Sequence, residues 1–227
     1  MRRCAATGIL GGTFDPVHFG HLGLATWVRG YLGLPRVLFL PAAVPPHKRH
    51  EQLTASHHRE TMLNLALADE PELELSHVEL QSGGVCYTID TLRRLRDGSD
   101  GCDPLFIMGT DSLLEIPTWH EFRELVREFD LVAVNRGEAE LEAIRGRLDP
   151  IVERRLLLPG DADATRKAVG RGRDGGRIFC LRMAPIPISS TDIRRRVAEG
   201  RPLAGLVPPE VARYIHSNGL YRHEERP

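Results

Sequence analysis

Short apolar runs separated by longer stretches with helical spacing set the strongest limit on how this chain folds. "ATGIL" and "RVLFLP" flank "GHLGLATWVRGYLG"; then come "ASHHRETMLNLALAD", "LELSHVEL" and "YTIDTLRRLRD". Strand-sized runs alternating with helix-sized amphipathic ones are the rhythm of βαβ units, in which crossover helices join parallel strands. The rhythm continues through "PLFIMG", "WHEFRELVREF", "DLVAVN", a charged helix near "EAELEAIRGRL" and the strand "RIFCLRM". Two helices close the chain, "SSTDIRRRVAEG" and "PPEVARYIHSNG"; the second has prolines at its start and a glycine after its end, where each favours a helix boundary. The expected fold is α/β, a doubly wound parallel sheet with helices on both faces and a small C-terminal helical part over about residues 188–223. One domain over 1–227 accommodates this length.

Charge and composition narrow the partners. Lysine and arginine total 30 against 31 acids, a net charge of −1, so no global field draws the chain to nucleic acid or to a membrane surface. Anion binding must therefore be local. No apolar run reaches the length of about 18 residues that a membrane span needs. The opening "MRRCAATGILGGTFD" is broken by glycines and reaches Asp15 too soon for a secretory leader. Cys4, Cys86, Cys102 and Cys180 are far apart with no CxxC pair, which suits reduced thiols in a cytoplasmic protein better than a zinc site or a disulfide scaffold. Residues 160–177, rich in glycine and charge, read as a mobile surface excursion. Association into a homo-oligomer is left open.

The stretch "GGTFDPVHFGHL", residues 11–22, carries the first chemical signal. Ligands of open parallel sheets sit beyond the carboxyl ends of the strands, at the point where strand order reverses. Gly11 and Gly12 end the first strand and leave room beside the backbone, Pro16 fixes the turn, and a helix starting near Gly20 points free N–H groups at the same place. An anion suits that position, and His18 and His21 would donate ring hydrogen bonds to it. Two other readings stand beside this one. A histidine pair can bind a metal, although spacing marks no third ligand, and both residues can be ordinary surface or capping histidines. The stretch is neither GxGxxG nor a Walker loop, since no GK[ST] follows.

"ISSTDIRRR", residues 188–196, supplies a second signal. Serines stand at a capping position with Asp192 three residues after Ser189, and Arg194, Arg195 and Arg196 follow. Cations in the first turns oppose the helix dipole, and a bound anion would relieve that conflict. Arg194, one turn beyond the serines, is the arginine assigned to phosphate; Arg195 and Arg196 read as solvent-facing.

With these two stretches in hand, the chain resembles the nucleotidyltransferase superfamily with its (T/H)xGH signature, and within it the bacterial nicotinate mononucleotide adenylyltransferases, whose fold is Rossmann-like. The resemblance runs nearly end to end, through "PAAVPPHKR", "CYTIDTL", "FIMGTDSLLEIPTWHEF", "PISSTDIRRR" and "YIHSNGLYR". One departure is Arg136-Gly137-Glu138, where the family usually continues Arg-Pro-Gly. The resemblance implies transfer of an adenylyl group from ATP to nicotinate mononucleotide, with Mg2+ carried by the ATP phosphates. It implies that His18, His21 and Arg194 are catalytic, holding the triphosphate and stabilising charge on the leaving pyrophosphate. Gly11, Gly12, Thr13, Phe14, Gly109, Asp111, Ser189 and Ser190 would then bind ATP with them, while Lys48, Tyr87, Thr88 and Trp119 bind the mononucleotide. Asp111 also reads as a helix cap for "SLLEI", and Trp119 as a packing residue. Nicotinamide mononucleotide or phosphopantetheine as acceptor, and a nucleotide-binding regulator without catalysis, are the alternatives.

Overall fold

The computed structural model describes residues 6–43, 53–82, 84–98, 102–135, 146–158, 165–166, 169 and 176–222. Among them, seven strands form one sheet: β1 (Ala6–Gly12), β2 (Val37–Pro41), β3 (Leu73–Leu75), β4 (Asp103–Gly109), β5 (Asp130–Asn135), β6 (Leu156–Leu157) and β7 (Ile178–Arg182). Their spatial order is β3-β2-β1-β4-β5-β7-β6, and every neighbouring pair is parallel. The order reverses between β1 and β4, where Ile9 registers with Phe106 and Leu10 with Ile107. The helices of the described residues are α1 (Phe19–Leu32), α2 (Ser56–Leu67), α3 (Thr88–Asp97), α4 (Thr110–Glu115), α5 (Phe122–Glu128), α6 (Pro150–Glu153), α7 (Ser190–Ala198) and α8 (Pro209–Ser217). This is the doubly wound α/β architecture the sequence rhythm predicts.

Strand side chains alternate between faces, so each apolar run feeds two cores. On one face Leu10, Phe39, Ile107 and Val134 pack against apolar residues of α1, α2, α7 and α8. On the other, Ile9, Leu40, Phe106 and Ala133 pack against α3, α4, α5 and α6. The end of α1 is closed by Gly33 in a left-handed conformation (φ 67°), whose N–H donates to the Arg29 carbonyl. Arg166 adds a second closure, donating to the carbonyls of Tyr31 at 2.6 Å and Gly30 at 3.0 Å.

Two elements are shorter than the sequence suggests. "LELSHVEL" gives a strand only over Leu73–Leu75. Ser76 N–H donates to the Phe39 carbonyl at 2.9 Å, and the next donor in that ladder would be the N–H that Pro41 lacks. In "WHEFRELVREF" the helix begins only at Phe122, because Glu121 takes a left-handed backbone (φ 47°) that turns Trp119 and His120 off the axis. Most of the charged helix near "EAELEAIRGRL", the Arg136-Gly137-Glu138 departure and most of the 160–177 excursion lie outside the described residues.

Candidate active site

A cavity of about 580 Å³ opens beyond the carboxyl ends of β1 and β4, at the reversal of strand order. Its floor is Leu10, Gly11 and Gly12 of β1, Leu40 of β2, and Phe106, Met108 and Gly109 of β4. The two glycines are demanded first by packing: a Cβ at Gly11 would come within 2.9 Å of the Phe106 ring, and one at Gly12 within 3.0 Å of the Phe14 ring. Phe14 itself is buried, in a left-handed conformation (φ 49°), against Phe39 and the edge of His21. Its side chain therefore supports the site from the core and does not face the cavity.

His18 is the residue at the N-terminal boundary of α1; its side chain caps no backbone N–H, and it is buried. Its ring stacks on that of His21, with centroids 3.7 Å apart and planes 22° from parallel. His21 lines the cavity and His18 lies behind it. Gly20 permits this pairing, since a Cβ there would sit 2.9 Å from the His18 ring. The glycine of the HxGH pattern thus leaves the volume that the first ring fills.

The second stretch is fastened to the first. Ser190 Oγ donates to the Pro16 carbonyl at 2.9 Å and Arg194 donates to the Asp15 carbonyl at 2.7 Å. Ser189 caps α7, accepting the Asp192 N–H at 3.1 Å, so the weak capping box is present in its serine half. Arg195 faces solvent, as expected, whereas Arg196 is partly buried. With α7 ending at Ala198, Arg195 and Arg196 fall in its last turn, where cations suit the dipole, and both pair with Asp192, holding its carboxyl below the usual range. Asp192 offsets their charge, and Arg194 turns toward the β1–α1 loop.

The opposite wall combines Cys86, Tyr87 and Thr88 at the start of α3 with Thr118, Trp119 and His120 before α5. Tyr87 and His120 stack with centroids 4.1 Å apart, and Trp119 meets Phe106 edge-on at 6.0 Å. Trp119 is half-buried, so it both packs on the core and lines the cavity. Asp111 does not line the cavity: it is exposed inside the first turn of α4, whose boundary residue is Gly109, and Ser112 faces inward in its place. Lys48 lies outside the described residues.

Three buried polar residues organise the site without having been singled out in the sequence. Arg59, 1% exposed, donates to the carbonyls of Thr13, Ala42, Ala43 and Thr54, at 2.8–3.2 Å, and so braces the loops after β1 and β2. Burial lowers its pKa and nearby Asp15 opposes that, but a guanidinium stays charged. Asp15, 2% exposed, accepts from Tyr221 Oη at 2.6 Å and Thr54 N–H at 3.1 Å. Burial and the Asp15 charge push the Tyr221 phenol upward. Glu79 lines the cavity, accepts from Thr91 Oγ1 at 2.8 Å and from the Ala43 N–H, and is pushed up by burial. A signal for Arg59 exists: it falls on the apolar phase of α2 with Met62, Leu63 and Ala66. No comparable pattern marks Glu79, whose burial comes from the turn after β3.

Among the described residues, no group of three or more His, Cys, Asp or Glu side chains converges as a metal site, and no helix is long and apolar enough to cross a membrane.

A glycine-floored cavity at the switch point, flanked by a helix start, a histidine pair and a docked arginine, defines a nucleotide-handling α/β protein, and similarity to known proteins makes it an enzyme of the nucleotidyltransferase class. Residues 9–196 match the Cytidylyltransferase-like family, and the chain belongs to that family. The probable nicotinate-nucleotide adenylyltransferase of Symbiobacterium thermophilum is 41% identical over 221 residues, covering 97% of each chain. That of Thermomicrobium roseum is 40% identical, covering 96% of this chain and 92% of its own. The fold matches nicotinic acid mononucleotide adenylyltransferase of Plasmodium falciparum, solved in complex with NaAD, at a TM-score of 0.72 and 18% identity, over 96% of this chain and 97% of that one. Nucleotidyltransferases of this kind use a divalent metal ion with ATP.

Proposed function

We propose that this enzyme transfers the adenylyl group of ATP to nicotinate mononucleotide, giving deamido-NAD and pyrophosphate, a step of NAD biosynthesis in the cytoplasm. The names of relatives matched along nearly their whole length support the reaction. The observation that carries the site assignment is the fastening of the Ser190–Arg194 segment onto the loop that leads into the His18–His21 stack. Both anion-binding stretches thus face one end of β1.

In this reading an oxygen of the mononucleotide phosphate attacks the α-phosphorus of ATP in line. The new O–P bond forms as the α–β bridging bond breaks, and pyrophosphate leaves with that electron pair. Such transfers ask the protein mainly to position reactants and to neutralise developing charge. His21 at the cavity, His18 stacked behind it, and Arg194 hold and neutralise the phosphates, with the N–H groups opening α1 and the Ser189–Ser190 cap alongside. Mg2+, carried by the ATP phosphates, would supply further charge neutralisation beside His21 and Arg194. Gly11, Gly12, Thr13 and Gly109 form the floor beneath ATP; Phe14 contributes through its backbone, and Asp111 stays exposed in the first turn of α4, outside the lining. Tyr87, Thr88 and Trp119 take the pyridine mononucleotide, the flat indole suiting a flat ring, and Lys48 attracts its phosphate.

The decisive experiment measures pyrophosphate release with ATP and Mg2+ and, in turn, nicotinate mononucleotide, nicotinamide mononucleotide and phosphopantetheine, identifying the product by mass. Strong preference for the nicotinate form is the expected result. Preference for another acceptor would reassign the Tyr87–Trp119 wall, and tight ATP binding without release would make the chain a regulator.

A further inference from the structure

The two strand ends that floor the cavity meet at one buried side chain. Gly11, Gly12 and Thr13 line it after β1, and Leu40 and Ala42 after β2. Arg59, on α2, reaches both: Nη1 donates to the Thr13 carbonyl at 2.9 Å and to the Ala42 carbonyl at 2.8 Å, and Nη2 to the Ala43 carbonyl at 3.2 Å. Its Nε donates to the Thr54 carbonyl at 3.0 Å, which anchors the guanidinium to the entry of its own helix. With 1% of Arg59 exposed, bulk water does not compete for these bonds.

Each partner of the guanidinium leads outward to a wall of the site. The Ala42 N–H donates to the Gly12 carbonyl at 2.9 Å, closing the two strand ends on each other. The Ala43 N–H donates to Glu79, which accepts from Thr91 Oγ1 at 2.8 Å, and the Thr91 N–H donates to the Tyr87 carbonyl at 3.1 Å. On the other side the Thr54 N–H donates to the Asp15 carboxylate at 3.1 Å, and the Asp15 carbonyl accepts from Arg194 at 2.7 Å. One planar guanidinium thus stands between the loop that leads to the His18–His21 stack and the first turn of α3. A lysine ammonium, a point charge on a flexible stem, does not reproduce a rigid fork bonded to four carbonyls.

We propose that Arg59 is a positioning residue that couples the two substrates: a ligand at the β1 end tightens binding at the Tyr87–Trp119 end, and the reverse holds by the same factor. This rests on the reading that places ATP at the first end and the mononucleotide at the second. A ligand that settles one strand end settles the other through the shared fork, so the second ligand meets a wall already in place. Arg59 itself does not line the cavity and acts through the backbone of Thr13, Ala42 and Ala43.

The test uses the full chain and calorimetry, with the mononucleotide that wild type binds, alone and again with saturating α,β-methylene-ATP and Mg2+, an analogue whose α–β bridge does not cleave. The ratio of the two dissociation constants measures the coupling. Wild type should bind the mononucleotide about tenfold more tightly when the analogue is present. In Arg59→Lys, which keeps the charge and loses the fork, the ratio should fall toward one and kcat should drop about tenfold or more, while each ligand alone binds nearly as in wild type. Thr91→Val cuts the same network beside Tyr87 with little change of shape and should lower the ratio too; it decides the question where Arg59→Lys does not fold. A wild-type ratio of one overturns the proposal. So does a wild-type ratio retained in Arg59→Lys, even with both ligands equally weakened, since that marks a structural role alone; where Arg59→Lys does not fold, a ratio retained in Thr91→Val does the same. A wild type that couples the two ligands yet releases no pyrophosphate from ATP overturns the adenylyl-transfer reading instead, and the ratios still decide Arg59.

Discussion

At Gly20, one absent methyl group decides where two side chains go. A Cβ there would sit 2.9 Å from two atoms of the His18 ring, which is itself stacked at 3.7 Å on His21 and buried. Gly20→Ala should displace the stack while leaving the sheet and α1 intact, since alanine favours a helix more than glycine does. We expect turnover to fall roughly 10- to 100-fold, as misplacing a positioned group by about an ångström does, with the melting temperature unchanged or higher. Turnover and thermal unfolding measured on the same preparation separate the two effects; wild-type turnover would remove the stack from the mechanism. The histidines, the glycine between them and the capping serine were all legible as residue types at a spacing. Their stacking was not, because it depends on which rotamers the core beneath leaves open, and Phe14 sets that.

Helices and strands bring the second wall together. Tyr87 and Thr88 open α3, Trp119 and His120 end a turn before α5, and the Arg93 ion pairs with Glu121 and Glu128 span the two. Trp119→Ala should raise the KM for the mononucleotide several-fold while barely moving that for ATP; equal weakening of both substrates would make Trp119 a packing residue only. Glu79 joins the loop after β2 to the first turn of α3 through the Ala43 N–H and Thr91. Burial raises its pKa in the folded chain above the unfolded value, so the fold binds this proton more tightly than the unfolded chain. That contribution to stability is fully present below the ordinary carboxylate range and is lost as pH rises through that range to the raised value. Denaturant titrations from pH 4 to pH 8 should show this loss in wild type and its absence in Glu79→Gln; parallel curves for the two proteins would refute it. Here the sequence reading overran: "LELSHVEL" has the look of one strand, and the missing N–H of Pro41 in the neighbouring strand stops it at Leu75. A ladder partner is not visible in the segment it truncates.

Over the whole molecule, the C-terminal part holds the opening loop. Ser190 bonds the Pro16 carbonyl, Arg194 the Asp15 carbonyl, the Leu206 carbonyl accepts from Phe19 N–H at 3.0 Å, and Tyr221 closes on the Asp15 carboxylate. Residues 15–19 and 190–221 are therefore one structural unit although most of the chain separates them. Tyr221→Phe leaves a buried carboxylate short of a donor, which costs about 1–3 kcal/mol. Unfolding by denaturant should report that loss, and turnover should fall with it; unchanged stability would show that the hydroxyl is dispensable to the loop. Alternating apolar runs, glycines, caps and the histidine spacing are local properties, written at short range, and they were enough to establish the parallel α/β sheet, the switch point and the three glycines of the cavity floor. The bracing by Arg59, the burial of Glu79, the clasp of Tyr221 on Asp15 and the stack of His120 on Tyr87 join residues from separate elements. Such contacts follow from how the packed sheet excludes water and brings distant polar groups together, so only the folded chain could reveal them.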